Sequence, residues 1–232
     1  MVDRDRISRS KEIQRRTGKT FHLATRLLPK RVRHATYVLY AFFRVADEVV
    51  DDVDAPEPEV QRERLERYRA AALGEREAEN PVVAAFAETR ERAGIDPDDV
   101  DVFVEAMLTD VDTARYESYA DLEAYMDGSA AAVGRMMTAV MDLPPERERT
   151  ALPHATALGE AFQMTNFLRD VREDVVDRDR IYLPLETLRE YGVDPGEVLD
   201  LEFSERFAAA MRHEMRRTEG LYQDGVAGIE YL

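Results

Sequence analysis

Two acid-rich stretches carry the residue types that metal-assisted chemistry requires. The first is Asp47-Glu48-Val49-Val50-Asp51-Asp52. Asp47 and Asp51 stand four residues apart, which on a helix is ~6 Å of rise with ~40° of drift, so both carboxylates share one face. Like charges at this spacing repel, and acids near a helix C-terminus oppose the macrodipole. Directly upstream, Tyr37, Val38, Leu39, Ala41, Phe42 and Phe43 make the same helix too apolar for a surface element. Acids bunched at the end of a buried helix call for a counter-charge. A hard divalent cation, magnesium or manganese, suits carboxylate oxygens. The plain alternative is a solvated acidic helix end, which a chain with 48 Asp and Glu residues produces easily by chance.

The second stretch runs from Gln163 to Asp174. Asn166, Asp170 and Asp174 form an i, i+4, i+8 ladder ~12 Å long. Gln163 occupies the neighbouring row, and Arg169 beside the ladder offers a guanidinium that grips phosphate bidentately. Asn is disfavoured in a helix interior, so a ligand role accounts for Asn166. Its alternative is a polar helix face making surface salt bridges. Two such ladders facing each other would hold several metal ions against a diphosphate, with apolar helix walls below for a greasy chain. That chemistry is the ionisation of an allylic diphosphate.

Helices must position these residues, and helical signals dominate the chain. Ala/Leu/Glu/Arg-rich segments predict helices at roughly 7–16, 20–27, 31–52, 57–73, 80–94, 97–114, 119–141, 146–175 and 204–222. Pro56, Pro58, Pro81, Pro97, Pro144, Pro145, Pro184 and Pro195 fall at or near the breaks. Asp96-Pro97 and Asp194-Pro195 read as a cap followed by a first turn. No run alternates with period two, so no sheet is expected. One all-α domain is the simplest organisation.

Composition narrows the function further. The 232 residues carry 32 Lys and Arg against 48 Asp and Glu, a formal charge of −16 that disfavours nucleic acid and anionic lipid as partners. Only three of the basic residues are Lys, and excess carboxylate with little Lys is what a salt-rich cytoplasm tends to select. With no Cys, thiolate catalysis, disulfides and Fe–S clusters are excluded. Residues 1–16 are polar and charged, unlike a signal peptide. The longest apolar stretch, roughly Tyr37–Phe43, is far short of the ~18 residues a membrane span needs. A cytoplasmic protein is expected, with a peripheral membrane contact through which a lipid would be collected.

The chain resembles the squalene/phytoene synthase family, the head-to-head prenyl synthases, over nearly its whole length. The likeness begins at Gly18-Lys19-Thr20-Phe21 and Leu27-Leu28-Pro29, and continues through Tyr40 to Asp51. It takes in Asp110 to Tyr116 and Tyr125 to Met136. It is strongest over Gln163 to Asp174 with Asp179-Arg180-Ile181-Tyr182-Leu183-Pro184. The resemblance implies a helical bundle of the isoprenoid synthase type with a central hydrophobic cavity. It implies magnesium held by Asp47 and Asp51 and by Asn166, Asp170 and Asp174. It implies that Thr20, Tyr40, Arg44, Gln163 and Arg169 contact the diphosphate or the reacting centre. Gly18 stands where such enzymes often carry a second hydroxyl. The implied reaction joins two prenyl diphosphates through a cyclopropylcarbinyl diphosphate. Phytoene from geranylgeranyl diphosphate is the favoured product, and squalene or dehydrosqualene from farnesyl diphosphate is the alternative. A helical scaffold without turnover is the reading from another class. Such enzymes usually continue for several more helices, so residues 1–232 read as a domain lacking its C-terminal helices. His22, His34, His154 and His213 form no ligand pattern, Tyr182 reads as a structural lock, and Gly128, Gly134 and Gly159 read as sites of helix breaks or close packing.

Overall fold

The computed structural model describes residues 3–51 and 56–232, apart from the side chain of Asp51. Asp52 therefore lies outside the described residues. Thirteen α-helices are described: α1 (Arg4–Thr17), α2 (Lys19–Thr25), α3 (Lys30–Asp51), α4 (Pro58–Leu73), α5 (Pro81–Ala93), α6 (Pro97–Asp112), α7 (Tyr119–Met126), α8 (Ala132–Met141), α9 (Pro145–Arg169), α10 (Val171–Arg178), α11 (Leu185–Glu190), α12 (Pro195–Leu199) and α13 (Glu205–Val226). A π-turn, Asp127–Ala131, joins α7 to α8, and a 3₁₀ turn, Ala227–Tyr231, follows α13. No strand occurs among the described residues, as expected; one isolated parallel bridge links Arg115 and Ile181.

The helices fall into two compact units. The first takes residues 1–111 with 136–144. Its core is the apolar stretch of α3, where Tyr37, Val38, Leu39, Ala41, Phe42 and Ala46 are all buried. The Phe42 ring stacks on Phe86 of α5 at 3.6 Å and on Tyr68 of α4 at 4.8 Å, and lies 5.6 Å from Phe103 of α6. These planar contacts fix three helices against α3, and each fully buried aromatic contributes ~2–3 kcal/mol of burial. The Tyr68 hydroxyl donates to the Phe42 carbonyl. The caps behave as read: Asp98 N–H donates to Asp96 at the start of α6.

The second unit takes residues 112–135 with 145–232. Its central element is α9, which three elements, α8, the π-turn and α13, approach backbone to backbone. A Cβ on Gly134 would lie 2.3 Å from the Ala155 carbonyl oxygen, and one on Gly159 would lie 2.5 Å from that of Ala130. On α13, a Cβ on Gly225 would meet the Leu158 Cα at 2.8 Å. The close-packing reading of Gly134 and Gly159 therefore holds. The predicted helix 119–141 is interrupted by the π-turn, whose Ala132 N–H reaches back to the Asp127 carbonyl. The predicted helix 146–175 is divided at Asp170, where φ −101° and ψ 13° separate α9 from α10.

The run Arg180–Pro184 is not helical. It lies along residues 114–117, with Ile181 N–H donating to Ala114, Leu185 N–H to Tyr116 and Glu186 N–H to Glu117. That pairing is why the helix expected to reach 114 stops at Asp112. Asp179 ends α10 in the left-handed region at φ 51°, and its carboxylate accepts from Arg115 at 3.0 Å. Ile181, Leu183, Leu185, Leu188, Val193 and Val198 then bury themselves as a second core. The Asp194-Pro195 cap closes a full capping box with Glu197 on α12.

Candidate functional site

The first acid set sits at the end of α3. Tyr40, Arg44, Asp47 and Asp51 recur at spacings of four, three and four, which puts them on one stripe of that helix. Asp47 is half-buried. Burial raises the Tyr68 phenol well above its usual range, and the negative Asp47 raises it further, so the Asp47 field reaches the apolar interior. Arg44 Nε lies 3.5 Å from the Glu48 carboxylate one turn on. The Asp51 side chain lies outside the described residues.

The junction of α1 and α2 meets this stripe at Tyr40. The Tyr40 hydroxyl lies 3.1 Å from Thr17 Oγ1, and its ring stacks on Phe21 at 5.8 Å. Gly18 is pressed against the same tyrosine: a Cβ there would lie 2.5 Å from the hydroxyl oxygen and 2.7 Å from Cζ. The missing hydroxyl at Gly18 thus has a steric cause, and Thr17, which the sequence did not single out, supplies a hydroxyl beside it. Thr20 is exposed, and among the described residues its hydroxyl makes no hydrogen bond within the protein. A cleft of about 650 Å³ opens alongside, lined by Arg9, Arg16, Thr17, Val45 and Glu48. Gly18→Ser is expected to push the Tyr40 ring aside and destabilise the unit by ~1–3 kcal/mol, the usual cost of overpacking. A melting curve that matches the parent protein would count against this tight contact.

The second acid set lies where α9 gives way to α10. The break at Asp170 does not interrupt the ladder. Asp170 N–H donates to the Asn166 carbonyl at 2.8 Å and Asp174 N–H to the Asp170 carbonyl at 2.9 Å, so helical spacing carries through. Asn166 Nδ2 lies 3.5 Å from Gln163 Oε1. Arg169 grips Asp170 with two parallel hydrogen bonds of 2.7 and 2.6 Å, the bidentate geometry expected of a guanidinium. Arg178 donates to Asp174 at 3.3 Å.

Asp174 is the buried rung, at 8 % exposure. Burial raises its pKa to about 6; Arg178 opposes that shift, while the charges of Asp170 and Glu173 add to it. One turn before Gln163, Glu160 continues the polar stripe along α9. Its pKa is also raised, first by burial and then by Glu123 and Asp127, against Arg135. Arg135 itself donates to Asp127 on the π-turn at 2.8 Å. Sequence reasoning missed Glu160, because a lone Glu on a helix with many others carries no spacing signal.

This donor set fits a hard divalent cation. The oxygens belong to carboxylates and a carboxamide, and the Asp174 carboxylate is starved of water and crowded by further negative charge, which an added cation relieves. Among the described residues, no three acidic or His side chains are yet gathered at one metal-sized point. Arg169 and Arg178 instead hold the two carboxylates individually. Behind the ladder, Tyr182 stacks on Phe167 at 4.1 Å and contacts Tyr116 and Tyr125 at 5.9 Å each, which bears out the lock reading.

Comparison with known proteins gives a consistent result. Residues 14–232 match the family model described as squalene/phytoene synthase. The phytoene synthase of Rhodobacter capsulatus is 35% identical over 224 residues, covering 94% of this chain and 64% of that protein. The phytoene synthase of Thermus thermophilus is 36% identical over 216 residues, covering 92% and 71%. The chain thus spans about two thirds of the length of these curated relatives. A solved dehydrosqualene synthase in complex with ligand aligns with a TM-score of 0.83 at 28% identity, over 95% of this chain and 76% of that one. The all-α fold is common to both. No helix among the described residues is long and apolar enough to cross a membrane.

Proposed function

Because the chain belongs to the squalene/phytoene synthase family, we propose that it condenses two geranylgeranyl diphosphates head to head, giving phytoene through a cyclopropylcarbinyl diphosphate. The observation that carries this reading is the second acid set: a ladder kept in helical register across a helix break, with one buried and electrostatically crowded carboxylate. The identities to two phytoene synthases, at 35% and 36%, favour the C20 substrate.

Each residue then has a task. Asp47 and Asp51 on α3, and Asn166, Asp170 and Asp174 on α9 and α10, would hold magnesium, and manganese suits the same oxygens. When bound, the metal supplies charge neutralisation for a departing diphosphate. Arg169 is mostly exposed, and releasing Asp170 would free its five donors for diphosphate oxygens. Arg44, Tyr40, Thr20 and Gln163 are assigned to diphosphate or to the reacting carbons, with Thr17 added by its contact with Tyr40. The first allylic C–O bond breaks, the second substrate's double bond closes on the cation, and a proton is lost. A second diphosphate departure and rearrangement, ended by loss of a second proton, then give phytoene with its C1–C1′ bond. The protein's part is to hold charge and exclude water, so no side-chain nucleophile is required. Residues 1–232 are assigned to one synthase domain with a hydrophobic cavity for the prenyl chains.

Incubation with geranylgeranyl diphosphate and magnesium, followed by analysis of extracted lipids, tests the reading, and phytoene is expected. Squalene or dehydrosqualene from farnesyl diphosphate, with or without NADPH, would reassign the substrate. No product from this chain or from a longer C-terminally extended form would leave a helical scaffold.

A further inference from the structure

The chain's charge is unevenly distributed along its length. Between Arg9 and Arg33, nine Lys and Arg residues stand against a single acidic residue, Glu12, in a protein whose net charge is −16. All three lysines of the chain, Lys11, Lys19 and Lys30, fall in this stretch. Among the described residues, Lys19, Arg26 and Lys30 are exposed and enter no ion pair. Their positive field is felt locally. His22 is depressed first by burial and then by Lys11 and Arg26, and His34 first by burial and then by Lys30 and Arg33.

Apolar side chains project from the middle of this basic stretch. One side of α2 is packed inward, with His22 stacked on Tyr37 at 5.5 Å and Thr25 buried. The other side carries Leu23 at 63 % exposure, and the turn that continues α2 carries Leu27 at 87 %. Lys19, Leu23 and Leu27 follow one another at four-residue steps, with Arg26 and Lys30 flanking them. Exposed leucines ringed by long cationic side chains are the composition of an interfacial element. The apolar groups enter the acyl boundary, while the amines and guanidinium groups stay at the level of anionic headgroups. Exposure alone is not the signal. Phe203 is 77 % exposed, yet Asp200, Glu202 and Glu205 surround it, and an anionic surface repels that loop.

We infer that α2 and the turn after it, led by Leu23 and Leu27 and ringed by Lys19, Arg26 and Lys30, dock this protein on an anionic lipid surface. The net negative charge of the remaining chain is repelled by the same surface, so this segment is the one favoured to meet it. The inference stands on exposure and charge and does not depend on the proposed reaction.

The test is co-sedimentation of the full chain with vesicles of phosphatidylglycerol and phosphatidylcholine in about equal parts, at ~0.1 M salt, where screening acts over ~10 Å. Binding is expected to be at least about tenfold weaker to pure phosphatidylcholine, and to weaken as salt is raised. The pair Leu23→Ser with Leu27→Ser should cost about tenfold or more on anionic vesicles, and Lys19→Glu with Arg26→Glu should remove the preference for them. Phe203→Ser should leave binding unchanged. Absence of binding to anionic vesicles, or binding that these α2 variants do not weaken, overturns the inference. So does salt-sensitive self-association that the same variants abolish without any vesicle binding, since the surface would then serve an acidic second copy.

Discussion

Asp170→Asn is expected to lower turnover of prenyl diphosphate by about 10²–10³-fold, the usual loss when one group stabilising developing charge is removed. The fold should survive. Asn tolerates the backbone at φ −101°, ψ 13°, and the Asp170 N–H bond to Asn166 does not involve the side chain. What disappears is one negative charge and one of the two acceptors that hold Arg169. A carboxamide is a poor partner for a guanidinium and a weak ligand for magnesium, so both roles assigned to this position fail together. Asp47→Asn should behave in the same way on α3. Glu173→Gln serves as the contrast, because Glu173 is exposed and its removal relieves the crowding of Asp174 rather than adding to it. Product analysis alongside far-ultraviolet circular dichroism separates lost chemistry from lost structure. A full rate in either Asp variant would remove the metal assignment at that residue.

The second large effect concerns stability. Tyr182→Ala should cost ~3–5 kcal/mol, because truncating a buried aromatic leaves a cavity among rings that cannot close up. The ring lies 8 % exposed between Phe167, Tyr116 and Tyr125, and joins α9 to the non-helical run that follows α10. For a chain of this size that corresponds to a fall of ~10 °C or more in melting temperature. Tyr182→Phe keeps the ring and forfeits the contact between its hydroxyl and Arg180, so it should lose ~1 kcal/mol. Equal melting temperatures for the two variants would show that the stack does not hold this region together.

Much of this architecture was legible because strong local signals agreed. The apolar run from Tyr37 to Phe43 announced a buried helix, and the structure buries most of it in the core of the first unit. The Asp-Pro pairs at 96–97 and 194–195 announced helix starts, and both cap as expected. The acid ladder was read from spacing, which survives because i→i+4 bonds bridge the break at Asp170. The break itself was invisible for that reason: the residues on either side favour helix, and no Gly or Pro marks the place. Helix α11 was missed and α12 was marked only by its cap, since six or five residues span fewer than two helical turns and show no repeating pattern. Thr17 and Glu160 escaped for a different cause, since each becomes notable only through neighbours that tertiary packing brings near it.

The wide turn at Asp127–Ala131 closes a bond five residues back instead of four, and so accommodates one residue more than a regular helix of equal rise. Deleting a single residue inside that segment lets the chain relax into one unbroken rod, with both flanks keeping their angular phase. The same deletion elsewhere between Tyr119 and Gly134 rotates everything downstream by about 100°. That rotation would carry Gly134 away from the Ala155 carbonyl and drive a bulkier neighbour into its place. Along this stretch, length can change by one residue without scrambling the interior only at the segment that already holds a spare.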